Sequence, residues 1–536
     1  MRYILNFLIV IIVSACMVSC QDDFLDKKPL DRMTEADVWN DATLIEAYVV
    51  SKYRALNNGF SQEAWLSSCT DESYIYSDRG QLSYTRGTIT PDNPGYRNGW
   101  GSNYRYIRLC NIFFEKIDDA PISDQLKRQY TGEMKFIRAY CYSSLVKQFG
   151  GVPIIKKSFN AGDDLIVTRD SYDECVDFIV EDLDDAASIL KDFPMTGSDI
   201  GRATQGAALA LKSRVLLYAA SLLSNPNADR NKWQKAADAA KAVIDLGEYS
   251  LVDEYSDIWN VKRNSEIIMD RAFLARLFEQ QIDLENTPNS YGGWGGNFPS
   301  LNLVENYETI KGILPKDDPD FDSNNPYSDR DPRLTASILV SGSMWKGSAV
   351  EPWLPGGKDS RDGINPWCAT VTGFYMKKFM QESVIANYNS VTGDQHWIYF
   401  RLGEIYLNYA EAMFHVGDEN VTREYLNKIR KRKSVNMPDI NDTGDALYKR
   451  IQRERMVELA FEEHRFYDVR RWKIAMDTEN EPFRGVEITK NNDESFTFTE
   501  IVVESKLFLE QHYWHPIPRS EIEKNDKLVQ NPGYYN

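Results

Sequence analysis

Hydrophobic positions recur with a helical period over most of the chain after residue 41. The clearest apolar stripes lie at 134–145, 208–222 and 233–244. Pro226 separates the second stripe from the third, and Gly247 follows the third in the position of a helix C-cap. The pattern predicts a mostly α-helical protein, with residues 206–224 and 233–246 forming an antiparallel helical hairpin.

A second helical signal lies at 400–416, where the sequence is apolar nearly all round, as expected for a helix that is covered on both sides. Leu402, Gly403 and Tyr406 match the first helix of a tetratricopeptide repeat, and we expect the small Gly403 to let the partner helix approach closely. Similar hairpins recur without a fixed period. The sequence therefore predicts helical-repeat hairpins within a larger body rather than a regular solenoid.

Residues 287–400 lack this periodicity and are rich in Gly, Pro, Asn and aromatic residues. The run 291–299 (YGGWGGNFP) is predicted to be a loop, and Trp345, Trp353 and Trp367 lie in similar surroundings. Large aromatic side chains on such loops either close the edge of a core or are presented to a ligand. We expect the functional surface in this region.

The beginning of the chain is patterned as a secretion signal. An apolar run at 3–18 follows Arg2 and leads into Ser19 and Cys20, in the form of a lipoprotein lipidation box. The run is too short to span a bilayer, which takes about 20 residues. The pattern predicts cleavage before Cys20 and acylation of its thiol; the alternative is an ordinary secretory signal.

Taken together, these segments divide the sequence into five parts. The predicted parts are a signal peptide (1–19), a lipidated tether (20–40), an N-terminal helical part with tetratricopeptide-like hairpins (41–286), a loop-rich insertion on the ligand face (287–400) and a C-terminal helical part (401–536).

Composition excludes some partners. The formal net charge is −18, which repels a phosphate backbone and argues against nucleic acid and against a polybasic membrane surface. The chain has 536 residues, of which 42% are hydrophobic, enough for several domains or one large helical assembly. The cysteines after Cys20 are scattered and odd in number, so no disulfide framework is predicted, and Cys141 lies on an apolar stripe as a core residue.

Catalytic motifs are absent from the sequence. It has no His-Glu-x-x-His, no Cys-x-x-Cys, no G-x-S-x-G elbow and no phosphate-binding or dinucleotide-binding glycine motif. The run 462–464 (EEH) lies in an arginine-rich segment predicted to be helical, and we interpret it as structural ion pairs rather than an acid/base cluster. No catalytic residue, metal site or cofactor is predicted. Calcium is one reading of the acidic loop 317–322, and a solvated charged loop is the alternative.

Several stretches resemble one family, the SusD/RagB-like surface glycan-binding lipoproteins of Gram-negative bacteria. The similar stretches are 136–140, 149–153, 330–334, 401–412, 453–462 (RERMVELAFE), 465–472 (RFYDVRRW), 512–522 (HYWHPIPRSEI) and 530–534. They follow one another in order over most of the chain, and together they are specific.

The resemblance implies a mostly α, SusD-like fold with four tetratricopeptide-like helix pairs and a loop-rich ligand-binding subdomain. It also implies a non-enzymatic protein on the external face of the outer membrane, which passes oligosaccharide or polysaccharide to a SusC-like TonB-dependent transporter. The acidic pair after Gln21 resembles the family's surface-export signal. By the same resemblance, Arg453, Glu454 and Glu458 hold helices together, and Pro516 and Pro518 shape the C-terminal segment.

In the family, aromatic residues from an early loop region and from the mid-chain insertion contact the glycan, since flat rings stack on the C–H faces of sugars. The candidate ligand-binding residues are Arg79, Trp100, Asn103, Tyr291, Trp294, Trp345 and Trp353. Trp100 and Asn103 lie just before a helix that is predicted over 104–117. For Trp100 the alternative is packing of its helix against the core, and for Trp345 and Trp353 it is packing between loops.

Two other classes of function remain open at this stage. A helical-repeat module whose ligand is a peptide or another nutrient would use its loops for protein contacts. A secreted glycoside-active enzyme would need two carboxylates facing the aromatic loops, about 5 or 6.5–9.5 Å apart.

Overall fold

The computed structural model describes residues 35–56, 59–60, 65–75, 77–160, 162–274, 281–386 and 393–535. The predicted signal peptide, Cys20 and the tether up to residue 34 lie outside these residues. Nine helices of ten or more residues occur in the described part. They are α1 (Ala42–Lys52), α2 (Trp100–Lys116), α3 (Asp124–Phe149), α4 (Tyr172–Leu190), α5 (Gln205–Ala220), α6 (Arg230–Asp245), α7 (Leu402–Val416), α8 (Glu419–Arg430) and α9 (Gly444–Glu458).

The helices form a continuous packed series. Helix α2 packs on α3, α3 on α4, α4 on α5, α5 on α6, α6 on α7 and α7 on α8, so the C-terminal helices extend the N-terminal series across the intervening insertion. The predicted hairpin is the α5–α6 pair, and Gly247 takes a left-handed φ of 68° just after α6. The mostly α fold is confirmed, and the tetratricopeptide assignment of the pairs stays a prediction.

The strands are short and form only antiparallel pairs within the described residues. The pairs are β1 (Ser73–Ile75) with β3 (Asn297–Pro299), β2 (Ile267–Arg271) with β8 (Trp397–Arg401), β4 (Ile338–Leu339) with β7 (Tyr375–Met376), β5 (Met344–Trp345) with β6 (Ser348–Ala349), and β9 (Phe483–Lys490) with β10 (Phe496–Glu504). Strand β3 lies at the end of the run predicted to be a loop, and it pairs with a strand more than 200 residues earlier, which local sequence does not reveal.

The apolar stripes face one large core. Met134, Ile137, Cys141 and Leu145 on α3 are all completely buried, as their spacing predicts. Cys141 and the other four cysteines of the described residues are free and buried, in agreement with the absence of a disulfide framework. A smaller apolar cluster, including Leu426, joins α7, α8 and α9.

Two helix boundaries differ from the sequence-based prediction. Helix α2 was predicted over 104–117 but begins at Trp100, where Asn98 Oδ1 accepts the Trp100 N–H at 3.2 Å and satisfies one donor of the first turn. The segment 400–416 begins as strand β8 and becomes helix only at Leu402. The pairing of β8 with β2 sets this second boundary, because an apolar local sequence is compatible with both a buried strand and a buried helix.

Gly403 has a different role from the predicted one. A Cβ at this position would lie 2.2 Å from Arg401 Nη1 and 2.9 Å from Glu266 Oε1. The space beside Gly403 is therefore filled by a buried ion pair, rather than by a closely approaching helix. The prediction of a close helix–helix approach at this glycine was wrong.

Buried ion pairs connect the C-terminal helices to the insertion. Glu458 at the end of α9 lies 2.9 Å from Arg401, 3.2 Å from Arg432 and 3.0 Å from Arg333, while Glu454 lies 2.6 Å from Arg333. Burial alone would raise the pKa of Glu458, but the three guanidinium groups hold it well below its usual range. The structural role expected for Glu454 and Glu458 is confirmed.

The run 462–464 also takes part in ion pairs. Glu462 lies 2.7 Å from Lys378 Nζ, and Glu463 pairs with Arg97. The ion-pair interpretation is confirmed, but the run is not helical. Phe461 and Glu463 have left-handed φ values of 63° and 64°, which an α-helix of L-residues does not accommodate, so α9 ends before them.

Candidate functional site

Three segments of the insertion are joined by hydrogen bonds into one rigid loop cluster. Asn289 Nδ2 donates to the backbone oxygens of Ile364 and Asn365, the latter at 3.3 Å. The Tyr375 hydroxyl lies 2.8 Å from Asn289 Oδ1 and 2.7 Å from the Asp359 carbonyl oxygen. These bonds hold the segment around residue 290 against the segment 359–365.

The glycines of the run 291–299 allow this close approach. A Cβ on Gly293 would lie 2.1 Å from the Thr287 oxygen, and one on Gly295, whose φ is +53°, would lie 2.8 Å from the Cys368 oxygen. Because the glycines carry no side chains, other segments pack closely around Trp294, which is half-buried. The backbone N–H of Trp294 donates to the Leu284 backbone oxygen at 2.8 Å.

Tyr291 is also half-buried and fixed in place. Its hydroxyl lies 2.9 Å from the Ser348 backbone oxygen, and Lys358 Nζ lies 4.9 Å from the ring centroid while donating to Ser348 Oγ at 2.7 Å. The ring therefore connects the β5–β6 hairpin to the loop cluster, and one lysine covers part of its face.

Trp367 is the most exposed tryptophan of this cluster. Its side chain is 57% exposed on the short 3₁₀ helix Pro366–Cys368, which follows Asn365 in a left-handed conformation. Cys368 Sγ contacts the Gly293 oxygen at 3.6 Å, so Trp367 and Trp294 flank one contact between two loops. Ile364, 53% exposed, lies on the same segment. We refer to Tyr291, Trp294, Ile364 and Trp367 as the aromatic loop surface.

Trp367 lies among the loop tryptophans but was not predicted to be a ligand-binding residue. The residues around it, Arg361, Asp362 and Asn365, are exposed too, and they place polar groups near the indole. Asn365 and Pro366 before the tryptophan restrict the backbone, but this local signal does not determine whether the ring is covered.

Trp100 and Asn103 do not contribute an exposed surface. Trp100 is 4% exposed, with its ring centroid 5.1 Å from that of Phe149 and 5.2 Å from that of Tyr104. Asn103 Nδ2 donates to the Gly99 oxygen at 2.7 Å and closes the first turn of α2. A sugar cannot stack on a ring that is covered on both sides, so we correct these two assignments to structural roles.

Trp345 and Trp353 are packed between loops. Trp345 is 1% exposed in β5, beneath a cavity of about 650 Å³ that Trp259 and Lys377 also line. Trp353 is half-buried, with its ring centroid 5.0 Å from that of Phe496 in β10. The burial of Trp345 removes it from the ligand candidates, while Trp353 keeps part of its surface exposed.

The early loop region reaches the insertion through one strand pair. Tyr74 in β1 lies opposite Phe298 in β3, and its hydroxyl donates to Glu504 Oε2 at 3.0 Å. Arg79 is exposed after this strand, with its backbone N–H bonded to Gln81 Oε1 at 2.8 Å. The early region and the insertion are thus joined through β1 and β3.

The acidic loop 317–322 is partly neutralised by a lysine. Lys311 Nζ lies 2.9 Å from Asp318 and 2.6 Å from Asp320, and Thr309 Oγ1 donates to Asp318 at 2.8 Å. No group of three or more His, Cys, Asp or Glu side chains arranged to hold a metal ion occurs among the described residues. Calcium binding here stays a prediction.

Within the ranges that the structure describes, no helix combines the length and apolar character needed to cross a membrane. Helices α2 to α8 form the packed series described above.

Comparison with known proteins identifies the family. A family model described as the SusD family matches residues 259–534, and one described as starch-binding and associating with the outer membrane matches 23–217. A SusD-like protein of Bacteroides ovatus is 22% identical, over 98% of this chain and 95% of its own length.

Solved structures agree with the family match over nearly the whole chain. A SusD-like protein from Bacteroides fragilis superposes with a TM-score of 0.81 at 31% identity, covering 95% of this chain and 100% of that chain. A SusD-like carbohydrate-binding protein, also from B. fragilis, superposes with a TM-score of 0.79 at 25% identity, covering 92% and 100%. The helical series, the insertion between its two halves and these matches lead to one conclusion: the chain belongs to the SusD family of carbohydrate-binding proteins.

Proposed function

We propose that this protein is a non-catalytic, lipid-anchored glycan receptor on the outer face of the outer membrane. It captures an oligosaccharide or polysaccharide on the aromatic loop surface and delivers it to a SusC-like TonB-dependent transporter. The observation that carries the proposal is Trp367, a tryptophan held more than half exposed on a rigid loop beside Trp294.

Physical chemistry supports a sugar as the ligand of this surface. Exposing an indole to water is unfavourable, so a rigid exposed tryptophan in a chain with many buried ones is typical of a binding site. The polar atoms of Arg361 and Asn365 lie close in sequence to the ring and can address hydroxyl groups. The 25% identical B. fragilis structure is that of a SusD-like carbohydrate-binding protein, which supports the same class of ligand.

Binding is tested with residues 21–536 produced without the anchor. Calorimetric titration against a panel of soluble glycans is expected to find one binding class, with no cleavage products by chromatography. Trp367→Ala should weaken binding about 5-fold, because one stacking contact contributes about 1 kcal/mol. Trp367→Phe should retain most of the affinity, and Tyr535→Ala, which removes another highly exposed ring, is the matched control.

The remaining outcomes separate the alternatives. Binding of peptides with no binding of any glycan would replace the glycan proposal by peptide uptake. Cleavage of a glycan would contradict the non-catalytic assignment. Glycan binding unchanged in Trp367→Ala and Trp294→Ala would move the site away from the aromatic loop surface.

Anchoring and transporter association are tested in cells of a native or related Gram-negative host. Cys20→Ser should shift the protein from the membrane fraction to the soluble fraction, since the acyl chains provide the membrane affinity. Protease added to intact cells should degrade the wild-type protein if it faces outward. Affinity purification of the wild-type protein should recover a TonB-dependent transporter, and its absence under crosslinking would contradict the proposed complex.

A further inference from the structure

A groove on another part of the molecule carries an unusual concentration of arginine. It lies between α1, the loop around residue 200 and strand β2, and has a volume of about 410 Å³. Arg54, Arg202, Arg263 and Arg271 all line it. We refer to these four side chains and the space between them as the arginine groove.

The carboxylates that line the groove already have side-chain partners. Arg202 lies 2.8 Å from Glu133 in the core, and 3.2 Å and 2.9 Å from Glu46 and Asp199 at the groove. Asp270, the other acidic residue lining the groove, lies 2.6 Å from His396 Nδ1. Arg202 and His396 are therefore the partners of the carboxylates that line the groove.

The other three arginines have no carboxylate partner among the described residues. Arg54 and Arg263 are exposed and make no side-chain hydrogen bond or ion pair there, while Arg271 is half-buried, hydrogen-bonded with the Tyr399 hydroxyl and 5.4 Å from the Phe273 ring centroid. Many other arginines of the chain, such as Arg401, are bonded to carboxylates. In a protein with a net charge of −18, three arginines without a carboxylate partner around one groove are not expected from the composition.

The backbone holds one of these arginines in an unfavourable conformation. Arg263 has a left-handed φ of 56°, and the next side chain fixes this turn, because Asn264 Nδ2 donates to the backbone oxygens of Asp257 and Val261 at 2.9 and 2.8 Å. A non-glycine residue in this region costs on the order of 1 kcal/mol, and the cost is often found where a side chain is positioned for function.

The walls of the groove are apolar as well as cationic. Val50 and Ile200 are 46% and 39% exposed there, and Tyr53 and Tyr399 complete the lining. An inorganic anion gains no favourable contact with apolar walls, whereas the C–H faces of a sugar ring can pack against them. The volume lies within the range of about 300–1,000 Å³ that is usual for small-molecule sites.

From this combination we infer that the arginine groove is a second glycan subsite, specific for a sugar that carries a carboxylate or a sulfate. The guanidinium groups of Arg54, Arg263 and Arg271 bind the anionic group, and the apolar walls contact the ring. Arginine suits this role because its planar donors match the oxygens of both anions in pairs. The inference rests on the proposed glycan-binding function and narrows its substrate class.

The test compares three oligosaccharide probes in calorimetric titrations: an oligogalacturonate, its fully methyl-esterified form and a sulfated galactan oligosaccharide. The wild-type protein is expected to bind one of the two anionic probes, and to bind the neutral ester at least tenfold more weakly. The double variant Arg54→Gln/Arg263→Gln should lose at least tenfold in affinity for the anionic probe, because it removes charge-assisted hydrogen bonds. Both side chains are exposed, so the fold should be unaffected, as circular dichroism and melting temperature would verify.

Two further measurements isolate the groove. Arg128→Gln removes a 57% exposed side chain that pairs with Asp192 on another face, and it should leave binding unchanged. Raising NaCl from 50 to 500 mM should weaken binding of the anionic probe and leave any neutral glycan unaffected.

The failures are distinguishable from those of the proposed function. Anionic binding that is lost in Trp367→Ala but kept in the double arginine variant would overturn the groove and leave the aromatic loop surface as the site. Binding of neutral glycans alone would also overturn the assignment of the arginine groove as a subsite for an anionic sugar. Absence of binding to any glycan would overturn both.

Discussion

Glu72 offers the sharpest test of the packing described above. It lies between a buried 3₁₀ turn and strand β1, 1% exposed, and its carbonyl oxygen accepts the Ser300 N–H at 2.9 Å. The nearest guanidinium, Arg465, is bonded to both carboxylate oxygens of the adjacent Asp71, at 2.8 and 2.6 Å. Glu72 is therefore a buried acid whose natural partner is already engaged by a neighbour.

The pKa of Glu72 reflects this arrangement. Burial and, to a smaller extent, the Asp71 charge raise the pKa of Glu72 from its ordinary 4.5 to about 8, against the opposing effects of Arg465 and the Phe461 N–H. In the unfolded chain the group releases its proton above pH 4.5, while the folded protein retains it up to about pH 8. The stabilisation from this proton is full below pH 4.5 and is lost as the pH rises toward 8.

The size of the effect on stability follows from the difference between the pKa values of Glu72 in the folded and unfolded protein. Each pH unit between the two pKa values removes about 1.4 kcal/mol from the free energy of unfolding, which amounts to about 3 kcal/mol at pH 7 and less than about 1 kcal/mol at pH 5. Glu72→Gln removes the ionisable group and keeps its shape. With an unfolding entropy of about 1 kcal/mol per kelvin for a chain of this size, the variant should melt about 3 °C higher than wild type at pH 7.

Differential scanning calorimetry of both proteins from pH 5 to pH 8 measures this difference. The gain in melting temperature of the variant should grow with pH across the whole interval. Glu424→Gln, which removes a 55% exposed carboxylate paired with Lys428, should show no such trend. A gain that does not change with pH, or a variant that melts lower than wild type at pH 7, would refute the reasoning.

Three further predictions test other parts of the structure. Glu458→Gln should destabilise the protein by about 3–5 kcal/mol in urea unfolding, because Arg333, Arg401 and Arg432 lose their shared buried carboxylate; an effect below about 1 kcal/mol would contradict the network. Trp100→Ala should lower the free energy of unfolding by about 3–5 kcal/mol, whereas Trp367→Ala should change it by less than about 1 kcal/mol; equal effects would mean that their burial is misassigned. Gly295→Ala should lower the melting temperature, because its φ of +53° is unfavourable with a Cβ and the added atom meets the Cys368 oxygen at 2.8 Å; Gly342→Ala, also at positive φ but with open space around it, measures the backbone part alone.

Much of the fold was predictable from local pattern. The helical period located α5 and α6 within a few residues and identified the buried face of α3, because burial of one face repeats every three or four positions whatever the helix packs against. The structural role of Glu454 and Glu458, which the family resemblance implied, is confirmed by their buried ion pairs with Arg333 and Arg401. Motifs of this kind also sufficed to identify the family.

The exposure of the aromatic residues was decided by tertiary structure. Trp100 begins helix α2 and Trp367 lies in a 3₁₀ turn, and nothing in their local sequence reports that Phe149 packs against the first ring while the second stays 57% exposed. The glycines beside Trp294 illustrate the same point, since Gly295 lets the Cys368 oxygen, 73 positions away in the chain, approach closely.

The arginine groove could not be predicted from the sequence for the same reason. Arg54, Arg202 and Arg271 come from segments separated by up to 217 residues, and their meeting depends on how α1 packs against the loop before α5 and on the pairing of β2 with β8. Local sequence determined the helices, the predicted export signal and the family, because these depend on short-range periodicity and motif. Only the tertiary structure decided which aromatic rings face solvent and which charges lack a partner, because burial and pairing depend on residues distant in the chain.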